Sequence, residues 1–247
     1  MRKVLIAVVV TIAVLVQVPA SAQVTGNITV KKRGVDKRIS GVRAVAGASG
    51  IKLYAKNGAS VSIPYAQIEG VTAPKPGNLD QLVTLSRTNP AQAIAGLKGL
   101  VRSYKRMTWD QVAGKALIEA LVATGKASEA KSVYTQLVAL YKKQLDSRVH
   151  VAYVDVLVGL GDTNGALKLL TTLGSGGSAA GAAAAAMKTG DLYADQGKYR
   201  EALMHGYFKI MVQYGGASRT LNRQAGEKAV KILRDNYPDQ HTNHLSS

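Results

Sequence analysis

A small all-β unit followed by an all-α array of helical hairpins is the fold class that this 247-residue sequence predicts. Three observations predict it. Residues 23–72 alternate apolar and polar side chains between turn signals such as Asn57-Gly58. From Leu79 onward the apolar period lengthens from two residues to about 3.6. Gly125, Gly161 and Gly197 then recur every 36 residues, as do Ala130, Ala166 and Ala202, and an interval of that size is one helical hairpin.

Before the β unit, Arg2 and Lys3 precede an apolar run over residues 4–18 and then Pro19-Ala20-Ser21-Ala22. A basic start, a run too short to span a bilayer and a small-residue cleavage pattern predict a signal peptide over residues 1–22. The expectation is a protein exported to the periplasm or beyond the cell. The chain has no Cys, which excludes disulfides, thiolate zinc sites and Cys nucleophiles.

The β unit, residues 23–72, reads as five short strands. Residues 27–32 set Ile28 and Val30 on one side and Thr29 and Lys31 on the other. Further extended segments cover 39–45, 51–54, 61–63 and 68–71, with Pro64 ending the fourth and opening a single tight turn. Five short strands in so few residues cannot build an ordinary sandwich and predict a small, strongly bent barrel. The order of strand, basic turn, long strand, hairpin and Ile63-Pro64-Tyr65-Ala66-Gln67-Ile68 resembles the Sm-like small barrels at the N-terminus of exported bacterial repeat proteins.

Ala73-Pro74-Lys75-Pro76-Gly77 predicts a linker over residues 73–78. Helical repeats are expected over 79–238 and a tail over 239–247. The first basic helix, 91–107, carries Ile94, Leu97, Val101 and Tyr104 on one face and Lys98, Arg102, Lys105 and Arg106 largely on another. Gly174-Ser175-Gly176-Gly177-Ser178 predicts a flexible break before an Ala-rich helix, and Pro238 stops a closing helix that starts at Arg219.

Gly190, Tyr193, Gly197, Tyr199 and Ala202 match the signature of tetratricopeptide repeats. Leu117, Leu121, Gly125, Ala130 and Tyr134, and then Leu157, Gly161, Ala166 and Leu170, match it at fewer positions. Over roughly 79–238 the chain resembles that family. It departs where the family has a large aromatic four residues after the Ala: Gly206 stands there, with Tyr207 and Phe208 just beyond. The resemblance implies a superhelix whose groove binds a protein segment, with the Gly, Ala and Tyr residues as packing positions.

Sites for chemistry are sparse. No H-E-x-x-H, G-x-S-x-G or phosphate-loop motif occurs. His241 and His244 share a spacing without further ligands, and His150 and His205 stand alone. The sequence therefore predicts no catalytic, cofactor-binding or metal-binding residues, no small-molecule substrate and a non-catalytic scaffold. Its net charge of +17 points to anionic partners. Export moves the expectation from nucleic acid to a protein partner, envelope polymer or lipid headgroups. Lys31, Lys32, Arg33, Lys37 and Arg38 around the first β turn read either as an anion-binding tip or as a solvated hairpin. Lys98, Arg102, Lys105 and Arg106 read either as a second anion-binding patch or as a solvated helix face.

Overall fold

The computed structural model describes residues 23–34, 38–176 and 178–237. The expected signal peptide, Lys37, Pro238 and the tail with His241 and His244 lie outside the described residues. Strands β1 (Gln23–Lys32), β2 (Arg38–Ala46), β3 (Gly50–Tyr54), β4 (Ser60–Pro64) and β5 (Ile68–Thr72) form one antiparallel sheet in the order β4-β3-β2-β1-β5. All five expected strands are present. Pro64 leads into one 3₁₀ turn, Tyr65–Gln67, because proline's fixed φ suits a turn and its missing N–H ends the ladder.

The sheet is open. β4 and β5 are its two edges and do not pair, so the closed barrel expected from the sequence does not form. The physical reason is what covers the apolar face. Ile28, Val30, Ile51, Leu53 and Ile63 are buried there, and Met107, from the helical part of the chain, is fully buried with them. Tyr104 and Tyr65 pack against the same cluster. A plug from the helices buries the apolar face that a closing strand pair would otherwise have to shield.

Nine helices come after the sheet among the described residues. They are α1 (Leu79–Thr88), α2 (Pro90–Ser103), α3 (Trp109–Ala123), α4 (Ala127–Tyr141), α5 (Ser147–Gly159), α6 (Thr163–Gly176), α7 (Ala179–Asp195), α8 and α9 (Arg219–Asn236). Helix α8 is continuous through Tyr199–Glu201, Ala202–Tyr207 and Phe208–Gln213. Two boundaries differ from the sequence reading. Helix α6 runs through Gly174 to Gly176, so the expected break is shorter. Helix α2 stops at Ser103, so Tyr104 to Met107 form a turn instead of a last helical turn. No described helix is long and apolar enough to cross a membrane.

The helices pack as consecutive pairs, α1 with α2, α3 with α4, α5 with α6 and α7 with α8. Successive first helices also touch, giving a row α1, α3, α5, α7, α9. The 36-residue repeat is visible as three copies of one turn. Gly125, Gly161 and Gly197 have φ of +73°, +79° and +72°, a region that only glycine enters without a Cβ penalty. In each copy the residue after the glycine donates its N–H to the carbonyl five residues back: Lys126 to Leu121, Asp162 to Leu157, Lys198 to Tyr193. The glycine N–H donates three residues back, to Val122, Val158 and Ala194. Each pair of bonds is a Schellman motif, which satisfies carbonyls a helix end leaves free. Ala130, Ala166 and Ala202 are all fully buried where the second helix crosses the first.

The departure at Gly206 has a structural cause. Residues Ala202–Tyr207 are π-helical, so one extra residue enters the turn and the downstream side chains shift by one position. Tyr207 thereby moves onto Gly190 and is buried, with its hydroxyl donating to Asp191 Oδ1 at 2.8 Å. Tyr193 and Tyr199 pack at the edge of the same cluster. Gly206 and Gly190 let the two backbones meet: a Cβ on Gly206 would lie 2.3 Å from Gly190 Cα. Gly206→Ala is therefore expected to destabilise the protein by about 3 kcal/mol in urea unfolding. Gly99→Ala is the control, because Gly99 is helical and faces open space. It is expected to be neutral or to stabilise by about 0.5–1 kcal/mol.

Candidate functional site

The turn between α2 and α3 joins the sheet to the helices. Arg106 and Thr108 have φ of +65° and +69°, unfavourable for side chains with a Cβ. Their hydrogen bonds offset that cost. Arg106 donates from its guanidinium to Ile68 O at 3.3 Å, Leu140 O at 2.9 Å and Gln144 Oε1 at 2.9 Å. Thr108 Oγ1 donates to Val71 O at 3.0 Å, and Trp109 Nε1 donates to Ala73 O at 2.8 Å. Strand β5 and its exit thus meet three side chains at the α2–α3 turn.

Arg106 is only 6% exposed. This corrects the expectation that it belongs to a basic surface patch: ending α2 at Ser103 takes it off the helix stripe and turns it inward. Its guanidinium lies 4.7 Å from the centre of the Tyr141 ring. On α3, Asp110 is fully buried, accepting the Arg106 backbone N–H at 2.8 Å through Oδ2 and the Tyr141 hydroxyl through Oδ1. Burial pushes the Asp110 carboxyl up from 3.8 to about 6, against the bonds from Tyr141 and Arg106 that favour its charged form. Burial, with the neighbouring Asp110 charge, holds the Tyr141 phenol far above its ordinary range. The same two causes push Tyr65 up to about 12.

Beside this joint lies a slot of about 720 Å³. Helix α3 is its floor, α2 and α4 are its walls, and Ala48 and Tyr65 of the sheet region close one end. Both walls pack on α3 and barely touch each other. Val101, Leu117, Val133, Leu137 and Leu140 make it apolar below, while Lys98, Arg102, Lys105, Glu129, Ser132 and Gln136 make its rim polar. Lys98 pairs with Glu129 across the walls. Lys105 Nζ lies 5.0 Å from the Tyr65 ring centre and 3.4 Å from Ala48 O. Among the described residues, no carboxylate lies within ion-pair distance of Arg102 or Lys105.

The expected site residues therefore divide. Lys98, Arg102 and Lys105 share the slot, and Arg106 is locked beneath it. The β tip stands apart, as none of its residues lines the slot. There Lys31 pairs with Glu69 at 2.7 Å and faces Arg38 across the β1–β2 ladder, while Arg33 and Arg38 are exposed. Sequence reasoning missed Asp110 and Tyr141. An Asp in the first turn of a helix reads as a cap, and nothing local shows that a tyrosine 31 residues later will reach it.

Among the described residues, no group of three or more His, Asp or Glu is placed to hold a metal. Compared with protein-family models, curated proteins and solved structures, the chain matches none.

The Asp110 shift sets a sign. Its folded value lies above the unfolded one, so between about pH 4 and pH 6 the folded state holds more protons. Its contribution to stability therefore falls as pH rises through that window. Asp110→Asn keeps an acceptor for the Arg106 N–H and cannot ionise. Relative to wild type, this variant is expected to gain on the order of 2 kcal/mol between those two pH values in urea unfolding.

Proposed function

We propose that this chain is a non-catalytic, exported scaffold that holds a protein partner against its helical repeats. The single observation that carries the reading is the slot over α3: an apolar floor, a polar rim and two cations without carboxylate partners among the described residues. Such a surface fits a binding site better than a reaction centre. Asp110, the buried carboxylate in its lining, has both oxygens engaged by Tyr141 and Arg106. The three repeated Schellman turns support a tetratricopeptide-like array. The strand order and the Pro64 turn support kinship of the sheet with Sm-like units, in an open form. The basic start, short apolar run and Ala20-Ser21-Ala22 support export.

A polyanion ligand is the alternative, favoured by exposed Arg33 and Arg38 at the β tip. The protein partner is preferred because the slot's cations border an apolar floor, which a wholly polar polymer leaves unused. Photo-crosslinking in living source cells tests this. With p-benzoylphenylalanine at Gln136 on the slot rim, a discrete protein adduct is expected. The same probe at exposed Lys168 on α6 should give none. Identical adducts at both positions, or none at either, would contradict the proposal.

A further inference from the structure

Helix α3 has four helical neighbours, α1, α2, α4 and α5. It buries residues on nearly every side, from Asp110 and Ala113 to Ala120 and Leu121. The side left between α2 and α4 is the slot. Its walls are Lys98 to Arg102 on α2, continued by Lys105 in the turn after it, and Glu129 to Leu140 on α4. At 1.5 Å per residue the α4 wall runs for roughly 16 Å, or about three helical turns. A fifth helix of that length would complete the packing around α3.

Charge selects the occupant. Along the row α3, α5, α7, α9 the lysines are matched, whereas Lys131, Lys168 and Lys209 on the other helices have no carboxylate within ion-pair distance among the described residues. Lys115 pairs with Glu119, Lys188 with Asp155, Lys228 with Asp191 and Lys231 with Asp235. These pairs lie on the row α3, α5, α7, α9, so that face offers an anion little net attraction. The α2 side of the slot differs from that row, since Arg102 on α2 and Lys105 in the turn after it lack such partners among the described residues while bordering an apolar floor, and Lys98 has only the half-exposed Glu129. The cations are also spread along the slot, with Lys98 against Glu129 of α4 and Lys105 against Tyr65 and Ala48 at the closed end. They match carboxylates spaced along a segment better than a single lipid headgroup. The α4 wall carries one carboxylate, Glu129, already paired with Lys98, and is otherwise lined by neutral polar Ser132 and Gln136.

We infer that the slot between α2 and α4 seats an acidic amphipathic helix of a partner protein, apolar side down on the half-buried Val101, Val133 and Leu140, carboxylates along Arg102 and Lys105. This rests on the protein-binding reading and adds the partner's chemistry. The occupant joins a helix-in-groove interface in which α3 supplies the floor. Its carboxylates face cations at the edge of an apolar surface, where they set orientation and specificity as well as affinity.

The test uses the full chain and a fluorescein-labelled, stapled helical peptide about three turns long. It carries leucines along one side and glutamates along the flank; a second peptide has lysines in place of the glutamates. Anisotropy should show binding of the Glu peptide only. Arg102→Glu alone should weaken it, and Arg102→Glu with Lys105→Glu should weaken it by about tenfold or more. The double variant should in turn bind the Lys peptide. Lys168→Glu on α6 should change nothing. Equal binding of the Glu peptide to wild type and the double variant would overturn the inference. So would retention by phosphatidylglycerol vesicles without binding of the Glu peptide. If neither probe binds while the Gln136 crosslink still captures a partner, the acidic-helix inference falls and the protein-binding reading stands.

Discussion

Two buried charges on either side of one tyrosine hold this structure together. Arg106 lies against the Tyr141 ring and Asp110 accepts the Tyr141 hydroxyl. Neither is within ion-pair distance of an opposite charge among the described residues. Both are instead satisfied by neutral donors and acceptors drawn from β5, the α2–α3 turn, α4 and the turn after it. Such an arrangement is costly to break, because removing one partner strands a charge out of water, at several kcal/mol. It also sustains two residues in left-handed backbone conformations that isolated chains avoid.

The joint fixes what surrounds it. Met107, next to Arg106, is driven into the sheet's apolar face, and the sheet stays open because that plug takes the place of closure. Trp109 and Asp110, two and three residues on, begin α3, which packs against four other helices. The slot's closed end is made by Tyr65 and Lys105, both next to the same turn. The candidate site is therefore a by-product of how sheet and helices are fastened, and its walls cannot shift far without disturbing the fastening.

Local signals in the sequence were legible where local physics decides the outcome. The five strands follow from alternation and turn residues. The helical hairpins follow from glycines that need positive φ, and Gly125, Gly161 and Gly197 all adopt it. The Gly206 anomaly was also visible as a misplaced aromatic, and the π turn explains it. Long-range features were not legible. The charged stripe of 98–106 reads as one helix face, yet the helix ends at Ser103 and Arg106 points the other way. Nothing in Met107-Thr108-Trp109-Asp110 announces that it will plug a sheet formed far upstream in the chain. Of the candidate site, the sequence spacing brings Lys98, Arg102 and Lys105 near one another, while the burial of Arg106 and the apolar floor depend on how α3 and α4 pack.

Native-state hydrogen exchange tests the claim that the Arg106–Tyr141–Asp110 joint makes sheet and helices a single cooperative unit. In wild type, the slowest amides of β1, β2 and β5 and those of α3 should share one opening free energy. In Arg106→Met the sheet amides should open at lower free energy while those of α3 keep more of theirs. Different opening free energies for sheet and α3 already in wild type, left unchanged by Arg106→Met, would contradict the account.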